Sequence, residues 1–262
     1  MEGRRASASG KIILAGEYAV LFGKRGIAVP SKERLTVTFS PTRTGEMTIV
    51  WKDAEPRWIE YVQRILKELV PSSGHLRGTL MVESGLPLGK GMGSSTALVV
   101  AMSRCLLGGD SENAAKKAED AVNPGNSGLD FAVIWNEESI LFERKKEPQI
   151  ISLPENLLKD SELIDTGKPN ETTPELVAWI RSRVTEIRQP IEIIGQCTDR
   201  LLRGEPLKEI FRDHHRAQIA LGVVPEAVQK KIAMLEASGG SAKVLGAGAR
   251  TGEGGGMVLV IR

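Results

Sequence analysis

Apolar and polar positions change period repeatedly along this chain, and the changes divide it into elements. Gly78–Glu83 alternates every second residue, and Lys11–Ala15, Leu35–Ser40 and Met47–Trp51 are short runs of similar character, so all four read as strands. Arg57–Val70 instead carries Trp58, Ile59, Val62, Ile65, Leu66 and Leu69 at spacings of three and four, the stripe of an amphipathic helix. Ser95–Leu107 is apolar on most faces, which predicts a buried helix, and Ser111–Val122 predicts a more polar, alanine-rich one. Phe131–Trp135 and Ser139–Glu143 read as a hairpin around Asn136-Glu137-Glu138, followed by short strands at Ile150–Leu153 and Glu162–Asp165. The second half is mostly helical: Thr173–Ile187, Pro190–Leu202, Leu207–Leu221 and Pro225–Ser238, with closing strands at Ala242–Leu245 and Met257–Ile261. A polar stretch over 145–160 is the natural boundary, giving domains 1–150 and 151–262 in an α+β chain.

Composition narrows the function classes. With 35 basic and 33 acidic residues the net charge is +2, so no global field draws nucleic acid or an anionic membrane. The 4% aromatic content leaves little for stacking on single strands. Cys105 and Cys197 lie far apart without CxxC spacing, which argues against zinc and a disulfide scaffold and suits a reducing cytosol. No apolar run approaches the ~20 residues that span a bilayer. These features predict a cytoplasmic protein with no nucleic-acid or membrane partner, and leave a homodimer open.

Glycine is the outlier, and it is clustered. Gly85, Gly89, Gly91 and Gly93 fall together, and eight more lie from Gly239 to Gly256. Leu86–Ala97, LPLGKGMGSSTA, sits between a strand and a buried helix. A glycine turn opening a helix presents unpaired N–H groups backed by the positive end of the helix dipole, which suits phosphate. Ser94, Ser95 and Thr96 add hydroxyls that can cap the helix or ligate Mg²⁺. The string is neither Walker A nor the dinucleotide-binding GxGxxG.

PLGKGMGSSTA closely resembles the PxxxGLGSS motif of the GHMP kinase superfamily. KIILAGEYAVLFGKRGIAVP (Lys11–Pro30) resembles the first motif in its mevalonate kinase form, and KVLGAGARTGEGGGMV (Lys243–Val258) the third. Asp165–Val177, His215–Val223 and Pro225 are similar to mevalonate kinase segments between them. The resemblance implies a GHMP kinase fold, with an N-terminal ribosomal protein S5 domain 2-like part, a C-terminal ferredoxin-like part, and ATP between them. It implies phosphorylation of mevalonate at its 5-hydroxyl; phosphomevalonate or a small sugar as acceptor, and a non-catalytic nucleotide-binding regulator, remain alternatives.

Carried onto this chain, the resemblance implies Asp130 as catalytic base with Lys11 as its partner. Phosphates would lie against Pro87, Gly89, Gly91, Gly93, Ser94, Ser95 and Thr96, and Mg²⁺ against Ser95 and Glu119. Glu17, Tyr18 and Thr173 would face the substrate. From the residues alone, Asp130 is a carboxylate at the start of a strand, and Glu119 also fits a solvated helix face beside Lys116. Four departures stand out: Tyr18 where the family usually has histidine, Glu171 where arginine is frequent, Asn126 before SGLD where proline is common, and Ala249–Glu253 interrupting the third glycine run. Lys168, Arg25 and Arg250 are the candidate replacements for the missing cation, and Arg250 is also placed to reach ATP. His214 and His215 read as partly buried or solvated, His75 as loop, and Trp58, Trp135 and Trp179 as packing.

Overall fold

The computed structural model describes residues 3–70 and 76–262, so His75 lies outside the described residues. Strands β1 (Arg4–Ala15) and β2 (Arg25–Pro41) form the spine, paired antiparallel from Arg4 opposite Phe39 to Ala15 opposite Ile27. Both run well beyond the expected Lys11–Ala15 and Leu35–Ser40. The added residues mix exposed cations such as Arg4 and Arg5 with small buried side chains such as Ala8 and Ser9, which together carry little hydrophobic period. The second half of β2 pairs with β4 (Gly78–Ser84) and its first half with β5 (Ile140–Glu143). β3 (Met47–Val50) joins β4 in parallel, and β6, only Gln149–Ile150, joins β5.

Helices α1 (Pro56–Leu69), α2 (Ser94–Leu107), α3 (Glu112–Val122) and α4 (Leu129–Asn136) belong to this first half. Its core joins Ile13, Val37 and Leu80 of the sheet to Ile65, Leu98, Ala118 and Val133 of the helices. On the other side of β1, Ile12 and Leu14 pack with Cys197, Phe211 and Leu259 from the second half of the chain. Both faces of β1 are therefore covered, which is why Ile12–Ala15 is a continuous apolar run.

The second half carries α5 (Thr173–Ser182), α6 (Arg188–Leu202), α7 (Leu207–Leu221) and α8 (Glu226–Ala237). With them is an antiparallel sheet in the order β7 (Ser161–Asp165), β9 (Met257–Ile261), β8 (Ser241–Val244). Helix α5 starts with a reciprocal Thr172–Glu175 capping box and stops at Ser182, so the expected helix to Ile187 ends in turns.

One expected element is overturned. Phe131–Trp135 is helix α4, not the first strand of a hairpin. Leu129, Phe131, Ala132, Val133 and Ile134 are all buried, and a segment apolar on every face carries no period to separate strand from helix. Gly128, left-handed at φ 92°, starts the helix. No helix among the described residues is long and apolar enough to cross a membrane.

Candidate active site

The glycine turn between β4 and α2 is fixed by its neighbours. Lys11 N–H of β1 donates to Met92 O at 3.0 Å, and Met257 N–H of β9 donates to Lys90 O at 3.0 Å. Gly91 adopts φ 87°, and a Cβ there would lie 2.2 Å from Leu245 O, so only glycine lets the two glycine segments meet backbone to backbone. Helix α2 is capped by left-handed Gly93 with no side-chain cap, not by a serine. Ser94 Oγ instead accepts Gly89 N–H at 3.0 Å, and Thr96 Oγ1 donates to Glu119 Oε1 at 2.8 Å. The first turn of α2 thus keeps its amide groups for a ligand.

A cleft opens over this turn. Gly89, Gly91, Gly93, Ser94, Ser95, Thr96, Lys11, Asp130, Glu119, Glu17, Tyr18 and Thr173 all line it. Among the expected site residues, Pro87 stands outside that lining. Trp58, expected only to pack, lines the cleft as well, so its position on the buried stripe of α1 serves both purposes.

Lys11 follows the irregularity in β1 between Ser9 and Lys11, and its side chain is 2% exposed. Its Nζ lies 3.4 Å from Asp130 Oδ1, whose side chain is 35% exposed. Asp130 sits in the first turn of α4 rather than at a strand edge, where the helix dipole favours its negative charge. The pair combines a sheltered cation with a carboxylate open to the cleft.

Glu119 is buried, which rules out the solvated helix face. Burial pushes its carboxyl up to about 7, against the lowering effect of the Thr96 hydrogen bond. Its Oε2 is buried without a hydrogen-bond partner, and Ser95 lines the same cleft. An orphaned carboxylate oxygen of this kind is costly unless something occupies it. A hard divalent cation that takes one carboxylate, one hydroxyl and phosphate oxygens fits this donor set.

At the other end, Glu17 is not a free substrate contact. Its carboxylate is paired with the Lys243 ammonium and lies 2.9 Å from His214 Nε2, all three side chains being buried. Lys243 Nζ also donates to Ile13 O at 2.9 Å. Burial alone would raise the Glu17 carboxyl, but Lys243 and His214 more than offset it and hold it at about 2. His214 and His215 are therefore buried, contrary to expectation. His214 follows Ile210 and Phe211 by four and three residues, on the inward stripe of α7. The sequence reading passed over Lys243; the available signal was a lysine within an otherwise apolar strand, which must find a buried partner.

Tyr18 adopts φ 62° and its hydroxyl donates to Ala247 O at 2.6 Å. The three candidate cations are engaged elsewhere. Lys168 pairs with Glu55 at 2.8 Å, Arg25 with Asp199 at 2.6 Å, and the Arg250 guanidinium lies over Trp179 at 4.2 Å. Lys11 is the one cationic side chain among the described residues lining the cleft.

This chain resembles known proteins in sequence and in fold. Residues 60–134 match the family model of the GHMP kinases N terminal domain. The chain is 30% identical to the mevalonate kinase of Thermococcus gammatolerans, over 93% of this chain and 86% of that protein. It is 28% identical to the mevalonate kinase of Archaeoglobus fulgidus, over 93% of this chain and 88% of that one. The crystal structure of the Methanococcus jannaschii mevalonate kinase superposes with a TM-score of 0.79 at 17% identity, covering 100% of this chain and 91% of that one. Fold, glycine turn and relatives together define an ATP-dependent small-molecule kinase of α+β GHMP fold. Within that class, the chain belongs to the mevalonate kinase family.

Proposed function

We propose that this kinase transfers the γ-phosphoryl group of ATP to the 5-hydroxyl of mevalonate. The observation that carries the reading is the Lys11–Asp130 pair at 3.4 Å, facing the same cleft as the glycine turn. The acceptor oxygen attacks the γ-phosphorus while the bond to the bridging oxygen of ADP breaks. Asp130 accepts the hydroxyl proton, and Lys11 favours the negative charge that develops on the attacking oxygen. Gly89, Gly91, Gly93, Ser94, Ser95 and Thr96 border the phosphates, with the α2 dipole behind them. Tyr18 and Thr173 form the acceptor wall, and Glu17 supports it from beneath. Ser95 and Glu119 would hold Mg²⁺, which when bound neutralises phosphate charge. The division into parts 1–150 and 151–262 places the glycine turn, Lys11 and Asp130 on the first and Thr173 on the second. Two free, buried cysteines support a reducing, cytoplasmic setting.

Steady-state ADP release with Mg²⁺-ATP against mevalonate, phosphomevalonate, galactose and homoserine tests the reading. Turnover on mevalonate alone is expected. Turnover only on another acceptor would keep the mechanism and replace the substrate, and silence on all four with ATP still bound would overturn catalysis.

A further inference from the structure

Two features that set this chain apart in sequence, Glu171 and the Ala249–Glu253 interruption of the third glycine run, meet in space. Glu171 Oε2 accepts the Arg250 backbone N–H at 3.0 Å, and its Oε1 accepts the Thr251 hydroxyl at 2.7 Å. Asn170 Nδ2 donates to Thr251 Oγ1 at 3.3 Å. The Arg250 side chain turns outward onto Trp179 of α5.

The backbones of the two segments are equally close. Gly256 N–H donates to Gly167 O at 2.9 Å, Thr166 N–H donates to Gly256 O at 3.0 Å, and a Cβ on Gly254 would lie 2.6 Å from Gly167 C. The loop is held at its other end by the Tyr18 hydroxyl on Ala247 O. Gly246 and Ala247 of this loop line the cleft, and so do Thr173 and Pro174, two and three residues after Glu171. The interrupted loop and the start of α5 are thus two walls of one cleft, and the Glu171 carboxylate joins them where the loop carries Arg250 and Thr251.

The chemistry at that rim requires an acid. Two donors from consecutive residues converge on position 171, and a carboxylate accepts both, one on each oxygen. A glycine-rich loop is free to move, and a charge-assisted pair of bonds restricts it where the loop has gained side chains.

We propose that Glu171 is a positioning residue: it clasps the Arg250 backbone N–H and the Thr251 hydroxyl and so fixes the Gly246–Ala247 wall relative to Thr173. The clasp itself is a property of the free protein; its effect on turnover rests on the kinase reading above.

Arg250 is exposed, so trypsin cleavage after it reports on the clasp directly. In the full-length protein without ligands, Glu171→Ala should speed cleavage at this bond about 5–20-fold, as expected for losing two bonds to a charged group, with other sites unchanged. Glu171→Gln, which keeps one accepting oxygen, and Thr251→Val, which removes one donor, should each give a smaller increase. In steady state, Glu171→Ala should raise KM for ATP or acceptor by about 5–20-fold with kcat within threefold, and Glu171→Gln should restore part of it. Unchanged cleavage at Arg250 in both Glu171→Ala and Thr251→Val would overturn the clasp whatever the substrate. Faster cleavage with unchanged KM and kcat would overturn its positioning role. If no acceptor is turned over by the unaltered protein, the kinase reading fails while the cleavage result still decides the clasp.

Discussion

Lys243 Nζ and the Glu17 carboxylate form a buried ion pair, joining β8 to the second residue beyond the end of β1. Removing one partner of a buried pair leaves an uncompensated charge, which costs about 3–5 kcal/mol. Lys243→Met should lower stability by that amount in chemical denaturation. The double variant Glu17→Gln/Lys243→Met should recover much of the loss, because no lone charge remains. A Lys243→Met protein within about 1 kcal/mol of the unaltered one would refute the pair's structural role.

The same network sets an acid limit. His215 is pushed down to about 4, first by burial and then by neighbouring positive charge, and Glu17 is held at about 2. Both folded values lie below the unfolded ones, so the unfolded chain binds protons first. The His215 contribution is complete above about pH 6.5 and is lost as pH falls toward 4. The Glu17 contribution is complete above about 4.5 and is lost toward 2. Denaturation curves at pH 7, 5.5 and 4 should show falling stability, and His215→Asn should flatten the first part of that fall. An unchanged slope in the variant would remove His215 from the account.

Asp130→Asn keeps the shape of the side chain and removes the proposed proton acceptor. Turnover should drop by about 10²–10⁴, with ATP affinity by calorimetry within a few-fold. Near-normal turnover would take Asp130 out of the chemistry.

Glu119→Gln separates folding from cation binding. The amide avoids the cost of a buried charge, so thermal stability should hold or rise slightly. The Mg²⁺ concentration for half-maximal activity should rise by about tenfold or more, as should the Mn²⁺ dissociation constant in the presence of ADP. Equal metal affinities in the two proteins would contradict the assignment.

Gly91→Ala places a methyl group 2.2 Å from Leu245 O, at a backbone angle that side chains rarely adopt. The loss should be about 1–3 kcal/mol with weakened ATP binding. A variant with native melting and native ATP affinity would show that the two glycine segments can separate at no cost.

The legible parts of this molecule were those with a clear period or a dense motif. Leu207–Leu221 and Met257–Ile261 stand in the structure as expected, the first from its three-and-four spacing and the second from a short apolar run. Phe131–Trp135 was misread because a segment buried on all sides has no polar face to set its period. The glycine turn, Lys11, Asp130 and Glu119 were all named in advance and share one cleft. What stayed hidden was pairing: Lys243 with Glu17, and Glu171 with Arg250 and Thr251, lie 226 and up to 80 positions apart. Only the folded chain joins them. Trp58 shows the same limit, since a buried tryptophan and a cleft-lining one occupy the same stripe of α1.

The contacts made by Lys90, Gly91 and Met92 also bear on when the site can exist. The strands and helices up to Glu143 share a core of their own, yet the glycine turn rests on Leu245, Gly246 and Met257. During synthesis, the first half can collapse long before β9 has been made, but its nucleotide cradle cannot take its final shape until then. A chain stopped short of Met257 should therefore fold its first sheet and bind ATP poorly. Intermediates that lack β9 would stay silent as kinases, so that ATP binding reports the docking of β9 against the glycine turn.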